Sequence, residues 1–285
     1  MRIIDAHQHF WDPDDGDYAW VSGPFQPIRR VFTPDDLRPE LQAAGVSATV
    51  LVQTWGSEEE TRRFLALAEQ TDFIAGVVGW VDLTAADVAE RLAALRAGPG
   101  GRYLKGIRHQ VHDEADENWL GRADVRRGLA AVEAADLAYD LLVRPRELPA
   151  ALATAAAFPG LRLVIDHIAK PDIRQHGFAA WAERLRPFAA ERRHVWCKLS
   201  GMVTEADWAN WTAADLQPYV DAVLTIFGAD RCLFGSDWPV CRVAGGYARM
   251  FAGLDQCLAT LPAADRARVF AGSAADVYRL ECQGE

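Results

Sequence analysis

The strongest constraint on this chain is an alternation. Eight short, β-branched apolar runs recur along it, each followed by a longer stretch with helical spacing. They are Ile3 to His9, Ala48 to Gln53, Ile74 to Val81, Tyr103 to His109, Tyr139 to Val143, Leu161 to Ile168, Val195 to Leu199 and Arg231 to Asp237. Most are apolar on both faces, the pattern of parallel strands covered by helices. Helix starts fall between them. Ser57-Glu58-Glu59-Glu60 reads as a capping box opening an amphipathic run to Gln70, and Thr33-Pro34-Asp35 as a cap with proline at the first helical position. Thr84 reads as the opening of an alanine-rich run that ends near Gly98. Eight strand-helix units in 285 residues predict an α/β fold, a single (β/α)8 TIM barrel forming one domain over residues 1–285. A doubly wound open sheet is the alternative, but no glycine-rich dinucleotide turn follows the first run.

Composition narrows the partners. The formal net charge is −10, from 30 Lys+Arg against 40 Asp+Glu, which argues against nucleic acid or an anionic membrane. No stretch reaches the roughly 18 uninterrupted apolar residues of a membrane span, and the N-terminus lacks a signal-peptide pattern. Cys197, Cys232, Cys241, Cys257 and Cys282 are widely spaced with no C-x-x-C pair, so reduced thiols in a cytoplasmic protein are expected.

In a barrel of this type the reactive groups gather where strands end. The first run ends Asp5-Ala6-His7-Gln8-His9, and residues two apart on a strand share a face, so His7 and His9 can serve one pocket. The sixth ends Asp166-His167 with Lys170-Pro171 beyond, and the eighth ends Gly235-Ser236-Asp237-Trp238-Pro239. Three imidazoles and one carboxylate therefore converge on one rim. A His-x-His pair alone could be accidental; His167 and Asp237 at two further strand ends argue that this one is not.

The cations add a second signal. Only Lys105, Lys170 and Lys198 are lysines, against 27 arginines, and all three fall at or near strand ends. A lysine supplies a compact point charge that arginine does not, although Lys198 fits a packing stem as well as a site role. Other strand ends contribute Gln53 with Trp55, Trp80, Arg108 with His109, Arg144 and Ser200, while Trp11 and Trp238 flank the histidine and aspartate positions. Aromatic faces beside hydrogen-bonding groups suit a small polyhydroxylated or carbonyl-bearing ligand. Strand parity puts Lys105 and His109 on one face and Arg108 on the other. His112, His176 and His194 are set aside as loop or strand-start residues.

Asp5-Ala6-His7-Gln8-His9-Phe10-Trp11-Asp12, Lys105-Gly106-Ile107-Arg108-His109, Asp166-His167 to Lys170-Pro171, Cys197-Lys198-Leu199-Ser200-Gly201 and Gly235-Ser236-Asp237-Trp238-Pro239 together resemble the amidohydrolase superfamily. Within it the chain is similar, from residue 3 to about 280, to the TIM-barrel hydrolase branch that contains sugar lactonases. His109-Gln110 with Asp113-Glu114-Ala115-Asp116, and Leu199 to Trp208, narrow the likeness to L-fuconolactonase-like enzymes. The resemblance implies a sugar aldonolactone of L-fucono or L-rhamnono type as the small-molecule partner. Binuclear superfamily members carry a histidine at the end of the fifth strand; Tyr139 to Arg144 has none, so a two-metal site is not expected. His7, His9, His167 and Asp237 could hold one zinc or other divalent ion, but some members of this branch need no metal, so no cofactor is strictly required. The expected chemistry has Asp237 as general base on water, with His7, His9 and His167 polarising the carbonyl. Lys105, Arg108, His109, Gln53, Trp80, Arg144 and Trp238 are the expected substrate-binding residues. A related single-zinc decarboxylase and a non-catalytic sugar-acid binding protein are the rivals.

Overall fold

The structure, a computed structural model, describes residues 2–16, 18–191 and 193–281. Cys282 therefore lies outside the described residues. Eight parallel strands form one sheet in sequence order: β1 (Ile4–Gln8), β2 (Ala48–Val52), β3 (Ile74–Gly79), β4 (Leu104–His109), β5 (Ala138–Leu141), β6 (Arg162–Ile165), β7 (Val195–Leu199) and β8 (Cys232–Phe234). Closure comes just past β8, where Asp237 N–H donates to His7 O (2.8 Å) and His9 N–H to Trp238 O (2.7 Å). The (β/α)8 barrel is thus the observed fold, and the open sheet is excluded.

The outer layer contains α1 (Pro34–Ala44), α2 (Glu58–Gln70), α3 (Val88–Ala97), α4 (Ala123–Ala134), α5 (Leu148–Ala157), α6 (Phe178–Leu185), the single turn α7 (Met202–Glu205), α8 (Ala213–Phe227) and α9 (Gly246–Cys257). Burying one Leu or Phe from such a helix contributes roughly 1.5–3 kcal/mol, so Phe64 and Leu65 alone fasten α2 to the sheet. The expected cap at α1 is present as a full capping box between Thr33 and Asp36. At α2 only half of it forms: Ser57 Oγ accepts from Glu60 N–H, whereas the Glu60 carboxylate turns to Thr54 and Trp55. The alanine-rich helix starts later than expected. Thr84 instead closes a turn on Asp82, and α3 begins at Val88.

The barrel interior changes character along its axis. On the inner face Ile4, Val50, Val78, Ala138, Val164, Trp196 and Leu233 pack on Ala274, Val277, Tyr278 and Leu280, where α10 (Ala263–Ala267) and α11 (Ser273–Val277) close the bottom. Two residues further along β5, β6 and β7, the side chains on that inner face are Asp140, Asp166 and Lys198, joined from β4 by Arg108. Among the described residues no helix is long and apolar enough to cross a membrane.

Candidate active site

The four groups read from the strand ends do meet. His7 Nε2 and His9 Nε2 are 3.1 Å apart, and Asp237 Oδ1 lies 3.9, 3.4 and 4.0 Å from the Nε2 atoms of His7, His9 and His167. Each ring is aimed through its other nitrogen. His9 Nδ1 bonds Val52 O at 2.8 Å, which fixes the proton there and leaves Nε2 a free acceptor; His167 Nδ1 sits 2.9 Å from Ser200 Oγ. His7 Nδ1 faces both Lys198 Nζ (3.1 Å) and Asp166 Oδ1 (3.4 Å), so its ring has two partnered orientations of its proton. With the proton on Nε2, Lys198 donates to Nδ1 and His7 donates to His9. With it on Nδ1, His7 donates to Asp166 and Nε2 accepts from Arg108 Nη1 at 3.3 Å.

Backbone geometry places these side chains. His167, Ile168, Ala169 and Lys170 all have positive φ (53°, 48°, 61° and 49°), a left-handed turn directly after β6 that swings the histidine over the barrel mouth. Trp181 Nε1–H holds it by donating to Ile168 O at 2.7 Å. Asp237 is also left-handed (φ 55°), so β8 ends at Phe234 rather than running on to Asp237 as expected. Gly201 is required by both conformation and space, because its φ is 61° and a Cβ there would lie 2.5 Å from His167 Nδ1. Asp5, on the outer side of β1, accepts from His7 N–H (3.1 Å), Ser236 N–H (2.8 Å) and Tyr247 Oη–H (3.1 Å), pinning the Asp237 turn to β1.

Beneath the histidines lies a buried ionic layer. Lys198 Nζ contacts Asp140 Oδ2 (2.5 Å) and Asp166 Oδ1 (2.9 Å), Arg108 Nη1 contacts Asp166 Oδ2 (2.9 Å), and Tyr278 Oη–H donates to Asp140 (2.8 Å). Burial pushes Asp140 up to about 6, with Asp166 adding to the rise and Lys198 and Tyr278 opposing it. Burial also raises Asp166, but Lys198, His7 and Arg108 overcome that and hold it well below the usual carboxylate range. Burial keeps His7 and His167 well below the ordinary imidazole value, despite Asp166 and Asp237, so both are neutral near pH 7. Asp237 is pushed up by burial and pulled further down by His167, His9 and Lys170, leaving it ionised.

Above this floor opens a cavity of about 720 Å³, walled by His9, Arg108, His167 and Asp237 below and by Trp20, Phe25 and Trp208 on one side. Arg144, one of the expected substrate-binding residues, lines it, and so does Lys170, paired with Glu205 at 2.6 Å. Gln53, Trp80, His109, Trp238 and Lys105 do not line it. Gln53 is wholly buried, donating to Arg108 O and exchanging bonds with Gln110. His109 is turned away between Trp119, stacked at 4.3 Å, and Trp80 Nε1–H (3.0 Å), with Glu114 at 2.7 Å. The parity argument explains this: it sets Arg108 inward and His109 outward. Trp238 packs on Phe10 and Phe32, and Lys105 sits at the opposite end of the barrel. Among the lining residues that sequence reasoning did not single out are His112, set aside as a loop histidine, Gln110, Thr54, Trp20 and Phe25. Gln110 follows β4 directly and stands within the quoted His109-Gln110 segment, so its strand-end position was the available signal.

The residues fit one divalent ion. Ligand atoms of His7, His167 and Asp237 lie within 4.8 Å of one another, with His9 Nε2 completing the set. A tetrahedral site with bonds of about 2.0–2.1 Å spaces its ligand atoms by about 3.3 Å; the His7–His9 (3.1 Å) and His9–Asp237 (3.4 Å) separations match that spacing, and those from Asp237 to His7 (3.9 Å) and His167 (4.0 Å) are wider.

Comparison with known proteins agrees with this geometry. The amidohydrolase family model matches residues 4–280. An L-fucono-1,5-lactonase of Burkholderia ambifaria is 44% identical over 282 residues, spanning 98% of this chain and 96% of that protein. An L-fucono-1,5-lactonase of Burkholderia multivorans is 40% identical over 288 residues, spanning 97% of this chain and 96% of that protein. A crystal structure of an amidohydrolase from Burkholderia multivorans with bound zinc superposes with a TM-score of 0.93 at 39% identity, covering 99% of this chain and 100% of that one.

Proposed function

The chain belongs to the amidohydrolase family, and from that premise we propose that it is a hydrolase opening the ring of a sugar 1,5-lactone, of L-fucono type or close to it. The observation that carries the reading is an ionised carboxylate, Asp237, set among neutral imidazoles on the floor of a cavity with one aromatic wall. The sugar ring packs its apolar face on Trp20, Phe25 and Trp208, while Arg144, Gln110 and His112 meet its hydroxyls. Arg108 and His167 flank the carbonyl oxygen and stabilise the charge that develops there. Asp237 takes a proton from water as its oxygen bonds the carbonyl carbon. When the ring C–O bond breaks, the same proton passes from Asp237 to the departing ring oxygen; the product forms as the hydroxy acid, and its carboxyl proton is then released to solvent, leaving the aldonate.

One divalent ion held by His7, His9, His167 and Asp237 would supply Lewis-acid polarisation of the carbonyl when bound. We take it as optional, because His7 satisfies both ring nitrogens without it through Lys198 and His9. The four cysteines among the described residues are buried and unpaired, which supports a cytoplasmic setting.

The test is a pH-indicator assay over a panel of aldonolactones, with and without chelator, on wild type and Asp237→Asn. Lactone turnover falling by about 10²–10⁴ in a variant that melts like wild type is the expected result. Inertness of the wild type toward every lactone, or undiminished turnover in Asp237→Asn, would overturn the reading. Activity that survives chelation marks the ion as optional; activity restored only by added metal marks it as required.

A further inference from the structure

At the end of the barrel opposite the catalytic mouth, a cavity of about 270 Å³ has Arg96, Arg102, Lys105, Arg162 and Arg279 in its wall, with Asp136 as their carboxylate. Five cations less one anion leave a formal +4 at one spot of a chain whose net charge is −10. Lys105, one of three lysines in the sequence, belongs here and not to the lactone site.

Part of this charge is answered within the fold. Asp136 Oδ1 receives Arg162 Nη1 (2.7 Å) and its Oδ2 receives Arg279. The Val277 carbonyl accepts from Arg162 Nε (2.8 Å), and Ala135 O accepts from Arg96 Nη1 (2.8 Å). Cations facing helix-end carbonyls are ordinary at this end of a barrel. The remainder is unanswered. Among the described residues Arg102 has only the Tyr103 phenol as hydrogen-bond partner (3.1 Å). Lys105 is half-buried with no hydrogen bond or ion pair among the described residues, and that burial pulls its ammonium below the ordinary value, with Arg96 adding and Glu281 opposing. Glu69 and Glu281 act on Arg102 through their fields without pairing to it.

We propose that this cavity is a second binding site, for a small multivalent oxyanion of the phosphate class. The point charge of Lys105 and the planar fork of Arg102 suit a tetrahedral oxyanion, since one offers rotatable donors and the other paired ones. A dianion offsets more of the remaining positive charge than a monocarboxylate does. The cavity admits inorganic phosphate or a small phosphate monoester, and the site is separated from the lactone cavity by the length of the barrel interior.

The experiment is calorimetric titration of inorganic phosphate, and in parallel glycerol 3-phosphate, into wild type, Lys105→Met, Arg102→Gln and Arg144→Gln at fixed ionic strength. Saturable one-site binding is expected, weakened by about tenfold or more in Lys105→Met and several-fold in Arg102→Gln, and unchanged in Arg144→Gln. Tighter binding of the ester identifies an organic phosphate as the ligand; tighter binding of phosphate identifies the free ion. Absence of saturable binding, unchanged affinity in Lys105→Met and Arg102→Gln, or a loss confined to Arg144→Gln would overturn the proposal. Arg102 is exposed, so Arg102→Gln carries the test if Lys105→Met does not fold.

Discussion

Lys198 has no route to water: its ammonium lies inside the barrel between Asp140 and Asp166, touching His7. Removing one member of a buried ion set leaves an uncompensated charge, which costs about 3–5 kcal/mol. Lys198→Met is therefore expected to lower the melting temperature by about 6–20 °C. Adding Asp140→Asn should recover part of that loss, because the interior returns to two opposite charges, Arg108 and Asp166. Purely additive losses in the double variant, read by thermal melts, would show that the two do not act as a pair. The same residue shows what a sequence can disclose. Its position two after Trp196 on a strand put it on the inner face, but whether that face met solvent, substrate or other charges depended on Asp140 and Asp166 from two other strands. His7, His9, His167 and Asp237 were legible because strand ends of a barrel converge by construction. Lys105 was misplaced because closeness to a strand does not say which of its ends matters, and His112 was passed over because the loop that carries it has no periodicity to place it.

At the scale of elements, the strand and helix order was readable from apolar runs, while the departures came from local competition for hydrogen bonds. Glu60 stands at the third position of α2 but is drawn to Thr54 N–H (2.9 Å), Trp55 N–H and Tyr18 Oη–H (3.2 Å), so the helix start is tied to the end of β2. Burial raises its carboxyl above the ordinary value, more than these donors lower it. Between the unfolded and folded values the native state keeps a proton that the unfolded chain has released, so stability contributed by Glu60 falls as pH rises through that window. The melting temperature of Glu60→Gln relative to wild type is expected to rise as pH is raised above the ordinary glutamate value. A flat or falling difference would show that Glu60 is not held in its neutral form by burial. The left-handed turn at His167 to Lys170 had no sequence signal, since none of its four residues is glycine, asparagine or aspartate. Such conformations cost about 1–3 kcal/mol each and persist only where surrounding contacts, here Trp181 on Ile168 O, enforce them.

For the whole molecule, the C-terminal segment is both plug and support. Tyr278 closes the apolar lower half of the barrel and sends its hydroxyl up to Asp140. Tyr278→Phe keeps the plug but strips a donor from a buried carboxylate, at about 1–3 kcal/mol. The melting temperature should fall by about 2–12 °C, read by calorimetry. No change would mean that Lys198 alone satisfies Asp140.

Most barrels of this kind fill their middle with branched aliphatic side chains, whose contribution levels off on warming. Here the middle tier is Lys198, Arg108, Asp140 and Asp166. The hydration these ions surrender carries a strongly negative entropy, so the penalty for keeping them dry shrinks as temperature rises. Their share of the stability therefore grows with heat. The catalytic floor hangs on the same charges through His7, so what holds it weakens less on warming than the apolar layers around it do.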